Sequence, residues 1–484
     1  MAGTIKKHDS DMTEGPVWKH IIAFSLPLLL GLVFQQLYNT VDTIVVGKFV
    51  SKEALAAVGS VGNLINVLVA TSAGLASGAT VLISQHYGAH DNGRLSDAVS
   101  TTVILTFIMG IISTLGGLLL SDPLLKLMDT PDDVYADAKT YLVIYFSGVT
   151  GLLLYNMASG VLRAVGDSKR PLYFLIFSAL CNTVLDLVFV LVFDLGVAGV
   201  AYATILSQFL SAVLTLIALT RSKEAYGIRW RHLVFKLKEL KAILAIGLPT
   251  AIQQGVTSFS NVFVQGYINI LGSDVMAGWS AYSKVDGFAT LPMSAISIAS
   301  STFVGQNYGA KQLKRARNGA NVSLAMCLGV TIFLGAIVMI AAPFLSGWFS
   351  DDANVIYYTV FFVRLITPFY IAMSIIQIYA GALRGIGQSV IPTVIMLISY
   401  VAFRQVYLFF NKLLFAGTEI YTYGIGFAFP VGWTLCSILT LIYYRKSILC
   451  SGTDEIPVKE NHPVSRFRLL REKAGLEKHS GDVD

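Results

Sequence analysis

Gln35, Asn39 and Asp42 lie within Leu26–Gly47, a run otherwise apolar enough to sit in a bilayer. Spaced i, i+4 and i+7, they share one face of a helix. Asn182 and Asp186 are spaced i, i+4 in a later apolar run, and Thr204 follows in the next. A carboxylate in hydrocarbon costs roughly 3 kcal/mol or more and is normally turned toward a bundle interior or a water-filled cavity. Two carboxylates in one low-dielectric pocket cannot both ionise cheaply, so either a proton is held or a cation neutralises them. A hard ion such as Na+ suits an all-oxygen set of Asp, Asn and Thr. Asp42, Asn182, Asp186 and Thr204 are therefore read as a cation-coupling site, and as metal ligands if the ion is Na+. The blander reading makes both acids structural members of an internal hydrogen-bond network.

The elements that hold these residues are membrane spans. Of 484 residues, 55% are hydrophobic and 13% charged, with a mean hydropathy of +0.66; a soluble chain carries about 25% charged residues. Apolar runs of about 20 residues or more fall at 18–47, 54–85, 95–120, 134–163, 171–193 and 197–220. A second set falls at 240–271, 276–306, 314–347, 354–384, 388–411 and 421–444. Met1–Val17 is polar and shows no cleavage-site pattern, so no removable signal peptide is expected. Cys181, Cys327, Cys436 and Cys450 form no CxxC pair, which argues against a disulfide framework and a zinc site. The net charge of +6 is explained by loop topology, and no nucleic-acid partner is expected.

Loop charges orient the spans. One set of loops holds Arg94; Lys169 and Arg170; Arg221, Lys223, Arg229, Arg231, Lys236 and Lys238; Lys311, Lys314, Arg315 and Arg317; and the neighbourhood of Arg384. The opposite set holds Asp122, Asp129, Asp132, Asp133, Asp194, Asp274, Asp351 and Asp352, with Lys48, Lys52, Lys126 and Lys412 as the minority. The positive-inside rule puts the basic loops and both termini in the cytoplasm of a multi-pass protein of the plasma (inner) membrane.

The two sets of six are a repeat. The run from Gly160 to Pro171, GVLRAVGDSKRP, recurs from Gly381 to Pro392 as GALRGIGQSVIP. Gln85-His-Tyr-Gly-Ala89 recurs as Gln306-Asn-Tyr-Gly-Ala310, at the same shift of 221 residues. An even number of spans per half gives both halves the same orientation, with a cavity between them. The expected fold class is thus an all-α membrane protein, twelve transmembrane helices in two parallel six-helix repeats around a central cavity. Its parts are an N-terminal cytoplasmic segment (1–17), bundles at 18–220 and 240–446, a basic linker (221–239) and a polar cytoplasmic tail (447–484). The tail is expected to be disordered or to lie on the membrane surface.

Such a cavity is the architecture of alternating access. No GxxxxGK[ST] loop is present, which leaves an ion gradient or a partner subunit as the energy source. Asp186 lies 15 residues beyond Pro171, roughly 22 Å of rise, and Asp42 roughly 7 Å before Gly47. Thr204 comes to a similar depth, so helices 1, 5 and 6 bring the four candidates together. The positions matching Asp42, Asn182 and Asp186 in the second half are Val264, Phe403 and Tyr407. The fold is duplicated and the acids are not, which favours function over architecture. Pro27 removes a backbone donor and is read as a gating bend in helix 1. Gln35, Asn39, Asn156, Gln253, Gln254 and Gln377 are candidates for the substrate cavity, with helix–helix hydrogen bonding as the alternative. Lys284, Asp286, Arg364 and Arg404 form a second-half charge cluster, expected to pair internally or to serve as a polar wall or charge relay.

These residues together resemble the multidrug and toxic compound extrusion (MATE) family of transporters, bacterial type, over about residues 18–445. The likeness is carried by Leu26-Pro27 with Gln35, Val41-Asp42-Thr43 and Gly47, and by the Leu-Arg-x-x-Gly-Asp-Ser-x-x-Pro run at 162–171. It is carried further by Asn182-Thr-Val-Leu-Asp186 and Gly199-Val-Ala-Tyr-Ala-Thr204. The resemblance implies Na+- or H+-coupled export of amphipathic, often cationic compounds, with a cation site at Asp42, Asn182, Asp186 and Thr204. It implies cavity roles for Gln35 and Asn156, and bending at Pro27. Some members use acids in helices 7 and 10; this chain has Gln253, Gln254 and Gln377 there, so the first-half site is favoured. The expected partners are the lipid bilayer and small amphipathic substrates, with no cofactor beyond the coupling ion and a monomeric state.

A second hypothesis is a flippase for lipid-linked oligosaccharides or other amphipathic lipids, in which Lys284, Arg364 and Arg404 meet a pyrophosphate. A third, an intramembrane enzyme or receptor, has little to rest on. There is no GxSxG, HExxH or histidine cluster, and His86, His90 and His232 fall in expected loops, so no enzyme is expected.

Overall fold

The computed structural model describes residues 11–128 and 130–450, apart from the side chains of Asn63, Phe259, Val262 and Glu419. Within these residues twelve helices are long and apolar enough to span. They are α1 (Val17–Phe49), α2 (Lys52–Gly88), α3 (Asn92–Leu127), α4 (Asp132–Ala164), α5 (Lys169–Val192) and α6 (Gly196–Arg221). The second six are α7 (Leu237–Asn269), α8 (Ser273–Gly309), α9 (Leu313–Gly347), α10 (Ala353–Gly385), α11 (Val390–Phe415) and α12 (Ile420–Lys446). The helices α2 to α5 begin at 52, 92, 132 and 169, and α8 to α11 begin 221 residues on, at 273, 313, 353 and 390.

Local sequence explains the boundaries. Ser51 accepts from the Ala54 N–H at 2.9 Å and Asp91 from the Arg94 N–H at 3.0 Å, the usual work of N-caps. After α2 and α8 the chain turns through His90 (φ 53°) and Lys311 (φ 60°), left-handed residues at matching repeat positions. The minority cation Lys126 is matched by its setting, since Asp122 takes Lys126 at 3.0 Å and Lys139 at 2.6 Å.

Three second-half spans depart from a continuous α-helix, although their hydropathy is unbroken: α11 passes through a π-helical stretch, Ile398–Phe403, and two others break. Helix α8 breaks at Thr290, just ahead of Pro292. Helix α10 is interrupted by a 3-10 turn, Thr367–Phe369, that contains Pro368. Proline has no N–H to continue the ladder, and the matching helices α2 and α4 lack one at these places and run through. The expected bend at Pro27 is not a break either: α1 is one helix from Val17 to Phe49.

The two halves meet through α2. A Cβ added to Gly74 would lie 2.5 Å from Ala251 Cα, and one on Gly78 would lie 2.4 Å from the Ile243 carbonyl. At the basic end the crossing is tighter, with Gly88 against the Gln306 carbonyl and Gly309 against the Gln85 carbonyl, both at 1.9 Å. Toward the acidic end α2 and α7 separate. A Cβ on Gly255 would find Thr71 Oγ1 only at 3.9 Å, and Gly59 has nothing within 4 Å. The bundle is shut at the basic end and spread at the acidic one. His86, expected in a loop, lies in the last turn of α2, buried, with Nε2 3.0 Å from Glu239 Oε2 of α7.

The linker is anchored rather than loose. Tyr226 and Ile228 are buried in the core of the first half, and the Lys236 N–H donates to Thr101 Oγ1 at 3.1 Å. Residues 1–10, Asp129 and the tail beyond Cys450 lie outside the described residues; Ile448 and Leu449 are buried against the end of α12.

Because the atoms facing Gly88 are main chain, they cannot move aside. Gly88→Ala should cost about 1–3 kcal/mol and lower the apparent Tm of the purified protein by several degrees. Gly59→Ala should leave it unchanged, both read from thermal melts in detergent.

Candidate functional site

Helices α1, α4, α5 and α6 enclose a small polar pocket inside the first half. Its wall includes Gln35 and Tyr38 from α1, Tyr155 and Asn156 from α4, Ser178 and Asn182 from α5, and Gln208 from α6. The cavity is about 30 Å³, enough for a water or two. Beside it, Asp42 comes within side-chain hydrogen-bonding reach of both Asp186 and Thr204. Helix periodicity brings this about. At about 100° per residue, Tyr38 and Asp42 fall on the pocket side of α1 with Gln35.

The same geometry moves Asn39 to the edge of that face, where it is exposed. One of the two residues expected to line the cavity from α1 is therefore turned away from this pocket. Asp186 follows Asn182 by one turn, and both are buried, at 0% and 1% exposure. Just past Asp186, α5 widens into a π-helical turn, Val188–Val192, a feature common at functional sites.

Both amide atoms of Asn182 are buried without a protein partner, and both oxygens of Asp186 and one of Asp42 meet no protein donor; the two carboxyls face each other, where they can share a proton. Buried polar atoms are almost always bonded, and each exception asks for an explanation. Thr204 donates its hydroxyl to the Val200 carbonyl at 2.9 Å, so its lone pairs face outward from α6. The pocket therefore offers oxygen acceptors and two carboxylates, with no basic side chain among the partners of either acid. Among the described residues no three His, Cys, Asp or Glu gather as a metal cluster. The donor set fits a proton or a hard monovalent cation and not a thiolate- or imidazole-loving metal.

The sequence reading passed over a collar of tyrosines around the acids. Tyr38 lies by Gln35, Tyr141 by Thr204 and Tyr145 by Gln208, and the rings of Tyr141 and Tyr145 stack at 6.3 Å. The i, i+4 spacing of Tyr141 and Tyr145 was the available signal. A serine ladder was missed too: Ser211 donates to Ser178 Oγ at 2.6 Å, Ser178 to the Ser207 carbonyl, and Ser207 to the Thr204 carbonyl at 2.9 Å. It ties α5 to α6 and so fixes Asp186 against Thr204.

The second half has no acid at the matching positions, and Phe403, which matches Asn182, is exposed. Val264, Tyr407 and Ile425 belong to one apolar core. Gln253 is engaged in helix packing rather than in lining a cavity: its amide lies 2.7 Å from Met396 Sδ, and its carbonyl takes Thr393 Oγ1 at 3.5 Å. Gln254 and Gln377 are half-buried. Asn156 and Pro27 line a second cavity with Gln35 and Arg163, on the basic side of the acids.

The four second-half charges do not form the expected cluster. Asp286 accepts from Tyr282 at 3.2 Å and Tyr370 at 2.5 Å. Arg404 donates to Ser260 Oγ at 2.7 Å and Asn261 Oδ1 at 2.9 Å, and lies over the Phe429 ring at 4.8 Å. Lys284 and Arg364 are exposed. Among the described residues no ion pair joins any two of the four. Each buried charge is met by hydroxyls, an amide or a π face on its own, so there is no gathered cradle for a lipid pyrophosphate.

Comparison with known proteins follows the geometry. The MatE family pattern matches residues 27–188 and again 249–408, most of both halves. The chain belongs to the MATE family of multidrug efflux transporters. Among relatives, "Probable multidrug resistance protein YpnP" of Bacillus subtilis is 28% identical, the match covering 90% of this chain and 96% of that one. "Probable multidrug resistance protein NorM" of Thermotoga maritima is 28% identical over 79% of this chain and 82% of its own. A solved structure described as the outward-facing conformation of a multidrug resistance MATE family transporter superposes with a TM-score of 0.85. It is 22% identical and covers 91% of this chain and 98% of that one. The MATE fold places this protein in the membrane as a multi-pass transporter.

A ligand that binds only the folded pocket raises the melting temperature. In detergent, Na+ against choline, or a change of pH, should shift the Tm of the wild-type protein by a few degrees. Asp186→Asn should respond to neither.

Proposed function

We propose that this transporter exports amphipathic, cationic organic compounds from the cell in exchange for inward Na+ or H+. One observation carries the reading: two carboxyls face each other in a first-half pocket where their buried oxygens meet no protein donor, and the matching second-half positions, Val264 and Tyr407, carry no acid. The relatives named for multidrug resistance support the substrate class.

The basic end faces the cytoplasm, as the excess of Lys and Arg in its loops requires. Both termini lie on that side of the plasma membrane. With the acidic end spread, Asp42 is half-buried and reachable, while Asp186 behind it is sealed. The pair holds one proton between its two carboxyls, and an ion arriving from outside neutralises the remaining charge, with Asn182 and Thr204 completing its oxygens. The acids then no longer need water, and α1 can close against α5 and α6. Pro27 leaves the Ala23 carbonyl without its helical donor, so α1 bends there at low cost. Closing displaces the substrate from the cavity beside Gln35 and Asn156. The two halves then rock, and the ion leaves toward the cytoplasm.

Asp42→Asn should insert and fold but lose at least tenfold in substrate flux in proteoliposomes given an Na+ gradient or a pH gradient, each imposed alone. Wild-type flux in that variant would remove the assignment.

A further inference from the structure

Two repeated motifs take no part in the acid pocket. Gln-x-Tyr-Gly-Ala ends α2 and α8, and Leu-Arg-x-x-Gly ends α4 and α10. In space each meets the other across the two halves. Gln85 of α2 donates from Nε2 to the Gly385 carbonyl of α10 at 2.8 Å. Gln306, its repeat counterpart on α8, donates to the Ala164 carbonyl of α4 at 2.8 Å. Gln306 is completely buried, and the neighbouring helix ends touch through Gly88 and Gly309.

The residue after each glutamine extends the pattern to the start of the other half's first helix. His86 reaches Glu239 in the first turn of α7, and Asn307 donates to the Met12 carbonyl just before α1, at 3.2 Å. Met12 is 3% exposed, and its N–H donates to Gln306 Oε1 at 3.1 Å. Arg315 of α9 grips the same segment, through Nη2 to the Met12 carbonyl at 3.0 Å and the Glu14 carbonyl at 2.7 Å, and through Nη1 to Gly15 at 2.8 Å.

We propose that Gln85 and Gln306 are positioning residues for the transport cycle. They form a reciprocal latch that holds the basic end shut, and residues 11–16 are the strap that keeps the Gln306 side made. The proposal rests on the alternating-access reading above. Opening the basic end must part Gln85 from Gly385 and Gln306 from Ala164 together, because each bond spans the two halves. It must also withdraw Met12 from Gln306 or carry it along. The two bonds are equivalent by the repeat, so neither alone sets the equilibrium. The strap adds to one of them only.

The test is a distance measurement in lipid nanodiscs between spin labels at Asn92→Cys and Gln312→Cys, both exposed at the basic end, with Cys181 and Cys450 replaced by serine. Removing one such amide–carbonyl bond should shift the equilibrium about 5-fold toward the long, open-end distance. Gln85→Ala and Gln306→Ala should each do this, and their effects should multiply. Arg315→Ala should shift it in the same direction, multiplying with Gln85→Ala but not with Gln306→Ala, since it acts through Gln306. If an alanine variant does not fold, Gln306→Met keeps the side-chain length without the donor and should show the same shift. Folded variants whose distance distributions match the wild type would overturn the latch. A wild-type basic end that opens when substrate is added or when pH or Na+ is changed, yet ignores Gln85 and Gln306, would remove the latch and spare the transport reading. An end that never opens under any of these conditions would remove both.

Discussion

The structure depends on a carboxylate that has no counter-charge. Asp186 is wholly buried among helices, neither oxygen meets a protein donor, and the group it faces is another carboxyl, that of Asp42. An isolated ionised carboxylate in a low-dielectric interior is among the costliest groups a fold can hold. In the proposed cycle the coupling ion supplies the missing charge. The serine ladder between α5 and α6, the tyrosine collar and the π-helical turn after Asp186 surround the acids. A site that must exchange its occupant has to be prevented from satisfying itself.

Duplication supplies the frame for this, and divergence supplies the chemistry. Helix starts recur 221 residues apart, so the backbone plan of the two halves is shared. The second half packs Val264, Tyr407 and Ile425 where the first holds its polar set. In exchange it carries helix breaks in α8 and α10, with Asp286 bonded to tyrosines on both of these helices. One half is built around a charge, and the other around interruptions in its ladder.

Much of this could be read from the residues alone. Span number, the repeat and the convergence of Asp42, Asn182, Asp186 and Thr204 follow from hydropathy, motif shift and helical rise. These depend on spacing along one helix or on equal lengths of several. Facing was harder. Asn39 and Gln35 have almost the same angular position on α1, and only the neighbouring helices decide which of them is enclosed. Gln253 carried the same chemical signal as Gln35, but a methionine and a threonine of α11 took its hydrogen bonds. The four second-half charges were expected to neutralise one another because ion pairing is the familiar remedy. Hydroxyls and an aromatic face served Asp286 and Arg404 instead, and no spacing rule foretells that. The tyrosines near the acids were hidden among 22 in the chain.

The seam between α2 and α7 has a mechanical consequence. At Gly74, Gly78 and Gly247 the two backbones touch with no side chain between them. Interlocked side chains resist sliding because rotamers must be reset at every step. A bare glycine contact has none to reset, so it acts as a fulcrum of low friction. Small rotations there are amplified along α2 from Gly74 back to Lys52, roughly 33 Å of helix, and the far ends of the helices travel furthest where they have the most room.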